Sequence, residues 1–188
     1  MTTKEKLSER WKNNRISEAM LLVYVSKGLI NDADFKEITG KESCLDPEAK
    51  LAKAKHSKIS ESKTALSEYL ASHPLQWTDG KYYSVTSEKQ ALLTSNLSLY
   101  QLAVSNGQSF TLKWNTTGDE CTVWKYDDLA ALALAIGTYV QPFVSRQQEL
   151  ELDIKACTTM EELDAVEINY DPVLKQYLET VGLKEVTE

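Results

Sequence analysis

The sequence predicts an α+β fold that is predominantly helical, with small antiparallel β-hairpins packed against a long kinked helix and an N-terminal helical module. Three observations carry this. Apolar residues recur at 4-3 spacing from Leu129 to Ile154, the signature of one long amphipathic helix. Two stretches of aromatic, β-favouring residues are each interrupted by a turn glycine, Trp77–Thr86 around Asp79-Gly80 and Phe110–Lys125 around Gly118, as expected of hairpins. Helix starts and stops are dense in the first forty residues. The chain divides accordingly into a helical module over 1–42, a connecting helix over 43–72 and an α+β region over 73–188.

In the module, the stripe Met20, Val23 and Tyr24 is followed by Lys27-Gly28, a helix stop. Asn31 or Asp32 can cap the next turn of helix, which holds Phe35 and Ile38 and ends at Thr39-Gly40, giving a helical hairpin with a foot. Asp46-Pro47 supplies a cap and a first-turn proline for a helix reaching about Leu70. Its heptad positions Leu45, Ala52, Ile59 and Leu66 alternate with the half-polar set Ala49, His56, Lys63 and Leu70. That pattern suits a connector or a weak coiled coil, and it leaves homo-oligomerisation through 45–70 open.

His73-Pro74 ends that helix, and the first hairpin follows. Ser87 with Gln90 forms a capping-box pattern ahead of the stripe Leu93, Leu97, Tyr100 and Val104, closed by Asn106-Gly107. In the second hairpin Phe110, Leu112 and Trp114 share one face by alternation, while Trp124 falls opposite Val123. Asp127-Asp128 caps the long helix, whose seam is Leu129, Ala133, Ile136, Val140, Phe143, Gln147, Leu150 and Ile154. Pro142 removes one backbone donor and Gly137 eases bending, so a kink or a break is expected near 136–138. Thr159 with Glu162 opens a short helix carrying Leu163 and Val166, and Asp171-Pro172 opens a last one ending near Gly182.

Composition narrows function. A hydrophobic share of 42% over 188 residues is enough to build a core, and a net charge of −7 argues against nucleic acid as a partner. Cys44, Cys121 and Cys157 are far apart and form no C-x-x-C pair, which fits a reducing compartment; Cys121, in a predicted strand, and Cys157, at a helix end, are expected to be small buried hydrophobes. The polar start Met1–Arg10 and the short apolar run Leu129–Ile136 predict neither an export signal nor a membrane anchor.

His56 and His73 have no ligand partners at metal-binding spacing, and no cofactor is expected. Asp127-Asp128 and Glu161-Glu162 sit where helices begin, where capping accounts for them better than acid–base chemistry. With no glycine-rich loop or nucleophile elbow in the chain, the expectation is a protein that is not an enzyme. The residues that invite a binding role are Trp77, Tyr82, Tyr83, Trp114 and Trp124, aromatics gathered on the predicted strands that would serve equally as core.

Two stretches resemble known families. Arg15-Ile16-Ser17 through Tyr24-Val25-Ser26-Lys27-Gly28-Leu29-Ile30, with Asp34-Phe35-Lys36-Glu37-Ile38-Thr39-Gly40, resembles the short XkdX-like proteins encoded among phage tail genes. About half the chain, from His73 to Tyr170, is similar to an uncharacterised domain of small proteins encoded near phage tail fibres. It is marked by Gly80-Lys81-Tyr82-Tyr83-Ser84-Val85-Thr86, Phe110-Thr111-Leu112-Lys113-Trp114-Asn115, Ala131-Leu132-Ala133 and Thr159-Met160-Glu161-Glu162-Leu163-Asp164.

The resemblance implies a phage tail or tail-fibre accessory protein, an assembly factor whose partner is a fibre or baseplate protein, present in the host bacterial cytoplasm during assembly. A structural subunit of the virion tail and a phage-encoded modulator of a host enzyme are the alternatives. Neither family brings a catalytic set with it.

Overall fold

The computed structural model describes residues 2–41 and 47–181. Among them lie eight helices: α1 (Thr3–Lys12), α2 (Glu18–Ser26), α3 (Asp32–Thr39), α4 (Pro47–Ser72), α5 (Ser87–Ser105), α6 (Tyr126–Ala156), α7 (Met160–Ala165) and α8 (Asp171–Val181). Four two-residue strands, β1 (Leu75–Gln76), β2 (Tyr82–Tyr83), β3 (Lys113–Trp114) and β4 (Thr122–Val123), pair as two antiparallel hairpins. The α+β, predominantly helical architecture expected from the sequence is what the chain adopts. Cys44, the cap Asp46, the heptad residue Leu45 and the helix stop Gly182 fall outside the described residues.

The chain groups into two compact units, residues 1–62 with 150–167 and residues 63–149 with 168–188. The divisions fall inside α4, inside α6 and between α7 and α8.

In the first unit, Leu7, Ile16, Leu21, Val25, Ile30, Phe35 and Ile38 form a core, with Trp11, Leu22 and Tyr24 packed against it. The buried face of α2 is therefore Leu21 and Val25; Met20 and Val23, expected inside, are 53% and 47% exposed. Nearly every residue of α2 is apolar, so periodicity alone could not choose the face. Caps fix the ends: Asn31 Oδ1 accepts from the Asp34 N–H at 2.7 Å while Asp34 answers on the Asn31 N–H. Gly40 closes α3 at φ +73°, a left-handed conformation in which glycine carries no Cβ penalty.

A second cluster of this unit joins Ile154, Cys157 and Leu163 to Leu51, Ala54, Ile59 and Val166. Lys58 crosses to the end of α7, its ammonium donating to the Leu163 carbonyl at 2.6 Å. Thr159 caps α7 by accepting from the Glu162 N–H at 3.1 Å. The Glu162 carboxylate reaches back to the Thr158 N–H at 2.5 Å, one residue earlier than a capping box requires. These hydrogen bonds from Thr158 hold the Glu162 carboxyl below its ordinary pKa.

The second unit is organised on α6. Leu129, Ile136, Val140, Phe143 and Gln147 of the expected seam are buried, together with Leu132 and Tyr139 beside them, and the seam continues into the first unit as Leu150 and Ile154. α6 runs unbroken through Pro142, which corrects the expected break. The Thr138 carbonyl loses its backbone donor there, and the Thr138 hydroxyl donates to the Leu134 carbonyl at 2.9 Å. α6 is also long and apolar enough to cross a membrane by length and composition. Leu129, Leu132, Ile136, Val140 and Phe143 of that stretch are buried in the core, whereas Leu134 is 73% exposed.

α5 is capped one residue earlier than expected, by Thr86 rather than Ser87: Thr86 accepts from the Lys89 N–H at 3.4 Å, and Gln90 donates to the Val85 carbonyl at 2.7 Å instead of closing a box. α6 likewise starts at Tyr126, which places Asp127 and Asp128 in its first turn rather than at its cap. They complement the amide-rich helix end from that position.

Candidate functional site

The candidate site is built on the two hairpins of the second unit. In the first, Trp77 donates its N–H to the Lys81 carbonyl at 2.8 Å and Gly80 turns the chain at φ +77°. The three-residue loop 78–80 with glycine in the left-handed region is a favoured hairpin closure. Asp79 stabilises it from within, accepting from the Lys81 N–H at 3.0 Å and from the Tyr83 hydroxyl at 2.7 Å. Desolvation pulls the Asp79 carboxyl upward, but these donors outweigh it and hold the group below its ordinary value. Burial, then the bond to Asp79, pushes the Tyr83 hydroxyl well up.

In the second hairpin the pairs are Lys113 with Val123 and Trp114 with Thr122, and Trp124 donates to the Leu112 carbonyl at 3.0 Å. Alternation then makes Lys113–Val123 a pair that is not hydrogen-bonded, so the Val123 amide and carbonyl point away from β3 along the outer edge. The Val123 side chain is 69% exposed. Thr117, in the loop after β3, donates to the Tyr82 carbonyl at 2.9 Å and covers the edge of β2.

The five aromatics singled out from the sequence separate. Tyr83 and Trp114 are buried, Trp77 and Trp124 are half-buried, and Tyr82 is exposed. Tyr83 meets Trp124 edge to face at 5.8 Å between ring centroids, so the first of these serves as a core support for the second. Trp114 likewise belongs to the core with Leu112, with the Lys89 ammonium 5.5 Å from its ring.

Trp77 and Trp124 line one shallow groove with Asp79, Val123, Lys125 and Asp128. A second groove on the other side of Trp124 takes in Tyr100, Phe110 and Tyr126. There Tyr100 stacks on Tyr126 at 5.0 Å, and Gln101 donates to the Tyr126 hydroxyl. This ties α5 to the start of α6, and α5 presents Leu92, Leu99 and Leu102 to solvent. Those leucines were not singled out from the sequence, because α5 is apolar on more than one side and its stripe was placed on Leu93, Leu97, Tyr100 and Val104. Of these Leu93 is buried, whereas Val104 is 55% exposed.

Tyr82 lies apart, in a cleft of about 420 Å³ with Ser72, His73, Pro74, Leu75, Gln76, Tyr139, Leu174, Tyr177 and Leu178. An aromatic cluster stands behind it. Tyr69 stacks on His73 at 4.0 Å, Tyr139 meets Tyr177 edge to face at 4.8 Å, and Phe143 touches both Tyr69 and Tyr139. Burial pushes the Tyr139 hydroxyl up to about 12, with Tyr177 adding to the shift, and burial also raises Tyr177 and Tyr170. Tyr69 and, just past the helix end, His73 come from α4, Tyr139 and Phe143 from α6 and Tyr177 from α8, three elements too far apart in sequence for any local spacing to join them.

Among the described residues no group of three or more His, Cys, Asp and Glu is placed to hold a metal ion. Cys157 is buried, its thiol donating to the Asp153 carbonyl at 3.2 Å. Cys121, expected to be a buried hydrophobe, is exposed, because it precedes β4 in the hairpin loop. No protein-family model matches the chain, and comparison with curated proteins and with solved structures returns no match.

Proposed function

We propose that this chain is a non-catalytic phage tail or tail-fibre accessory protein, an assembly factor that binds a fibre or baseplate protein through the second unit. The observation that carries the binding role is the exposed apolar surface on β4 and α5: Val123 at 69%, Leu102 at 59%, Leu92 at 48% and Leu99 at 46%. Trp77 and Trp124 stand half-buried beside Val123. Large apolar side chains left in water beside anchored aromatics are the usual composition of a protein-binding face. The open edge of β4 adds backbone groups that an extended partner segment could pair with.

The phage setting rests on the two resemblances, in residues 15–40 and 73–170. Co-expression with the fibre and baseplate proteins encoded beside this chain tests the reading. A co-purifying complex that Val123→Glu abolishes supports it. An unchanged yield of soluble fibre with no complex removes the assembly role. Mass spectrometry of purified particles then separates an assembly factor, absent from the virion, from a structural subunit.

A further inference from the structure

The cleft beside Tyr82 is separate from the face assigned to partner binding, and its chemistry is specific. His73 Nδ1 lies 2.8 Å from the Tyr69 carbonyl. A carbonyl can only accept, so in the neutral ring Nδ1 carries the proton. The Ser72 hydroxyl, 3.0 Å away, is itself turned to the Glu68 and Tyr69 carbonyls and accepts from the same nitrogen. Nε2 is thereby fixed as an acceptor, and no group of the described chain donates to it.

Two of the neighbouring polar groups are already engaged: Tyr139 gives its hydroxyl proton to the His73 carbonyl at 3.1 Å, and Gln76 gives an amide proton to the Gly80 carbonyl. Among the described residues no Lys, Arg, Asp or Glu lines the cleft. A charged ligand would lose its hydration there with no counter-charge in return. The remaining walls are rings and aliphatic groups, Pro74, Leu75, Tyr82, Leu174, Tyr177 and Leu178, and the volume is that of a small-molecule site.

We infer that this cleft binds a neutral, flat aromatic group carrying one N–H donor, of which indole is the simplest example, with the N–H donated to His73 Nε2. The tyrosine rings and leucines pack on the ring system, and the stack on Tyr69 holds the imidazole in place.

The test is calorimetric titration of the full chain with indole and with 1-methylindole, which has the same ring system and lacks the N–H. Indole should bind saturably and about tenfold more tightly than the methyl analogue, the discrimination expected when a positioned acceptor is left unpaired. His73→Phe keeps a ring on Tyr69 but removes both nitrogens. It should reduce the indole affinity to that of 1-methylindole, with circular dichroism confirming the fold. Leu178→Trp, which fills the cleft from α8, should abolish both. Absence of saturable indole binding, equal affinity for the two indoles, or undiminished binding to folded His73→Phe would each overturn the inference. Adding N-acetyltryptophanamide identifies the source: binding comparable to indole assigns the cleft to a partner's tryptophan, and binding of indole alone assigns it to a free small molecule.

Discussion

Replacing Phe143 by alanine tests whether the second unit is held by the seam of α6. Phe143 has 0% of its surface exposed, and its ring lies 5.6 Å from Tyr69 and 5.3 Å from Tyr139. Truncation removes the transfer energy of the ring and opens a cavity that the surrounding tyrosines, anchored by hydrogen bonds to Asp171 and to the His73 carbonyl, cannot readily fill. The expected cost is about 3–5 kcal/mol, a large part of the total for a marginally stable fold. Leu134, on the same helix and 73% exposed, is the control. Its replacement by alanine should change stability by no more than about 0.5 kcal/mol. Urea unfolding followed by tryptophan fluorescence suits the comparison, because Trp77, Trp114 and Trp124 all lie in the second unit. A cost below about 1 kcal/mol for Phe143→Ala, or equal costs at the two positions, would refute the placement of the seam.

Three further outcomes follow from the same structure. Tyr139 is 3% exposed with its hydroxyl pushed up to about 12, so above pH 10 the unfolded chain loses its proton first. The associated stability is complete below pH 10 and falls by about 1.4 kcal/mol per pH unit as pH rises toward 12; Tyr139→Phe should flatten that slope in urea titrations at pH 9 and 11. In a Cys44→Ser background, a thiol reagent should modify Cys121 at once in the native protein and Cys157 only on unfolding, as read by absorbance, since one is exposed and the other buried. Val123→Glu should leave the stability from urea unfolding within about 0.5 kcal/mol of wild type while eliminating capture of the partner, because the side chain is 69% exposed.

Much of the fold was legible because local rules and packing agree. The α6 seam was readable from Leu129 to Ile154 because a helix buried along one side keeps its period even where Gln147 replaces an apolar residue. Gly28, Gly40, Gly80 and Gly107 marked real chain reversals, each at positive φ. Errors came where the local signal is degenerate. α2 is apolar on every side, so Met20 and Val23 were taken for Leu21 and Val25. Ser87 and Thr86 are both competent caps, and only the conformation of Val85 and Gln90 chose between them.

The candidate site was only partly readable. Strand alternation put Leu112 and Trp114, both buried, on one face, but it could not separate Tyr83, which supports the core, from Tyr82, which faces a cleft. The cleft depends on His73, just past the end of α4, meeting Tyr139 of α6 and Tyr177 of α8, a long-range arrangement with no local period to announce it. The exposed leucines of α5 were hidden for a different reason: a helix with apolar residues on several sides does not say which side stays in water.

The most direct test of the account is affinity capture of the tagged chain from cells co-expressing the fibre and baseplate proteins encoded beside it, in wild-type and Val123→Glu forms. A fibre or baseplate protein should be recovered in stoichiometric yield with the wild type and lost with the variant, while both forms remain folded. Recovery of host proteins alone, or of a fibre protein in equal amount with both forms, would contradict it.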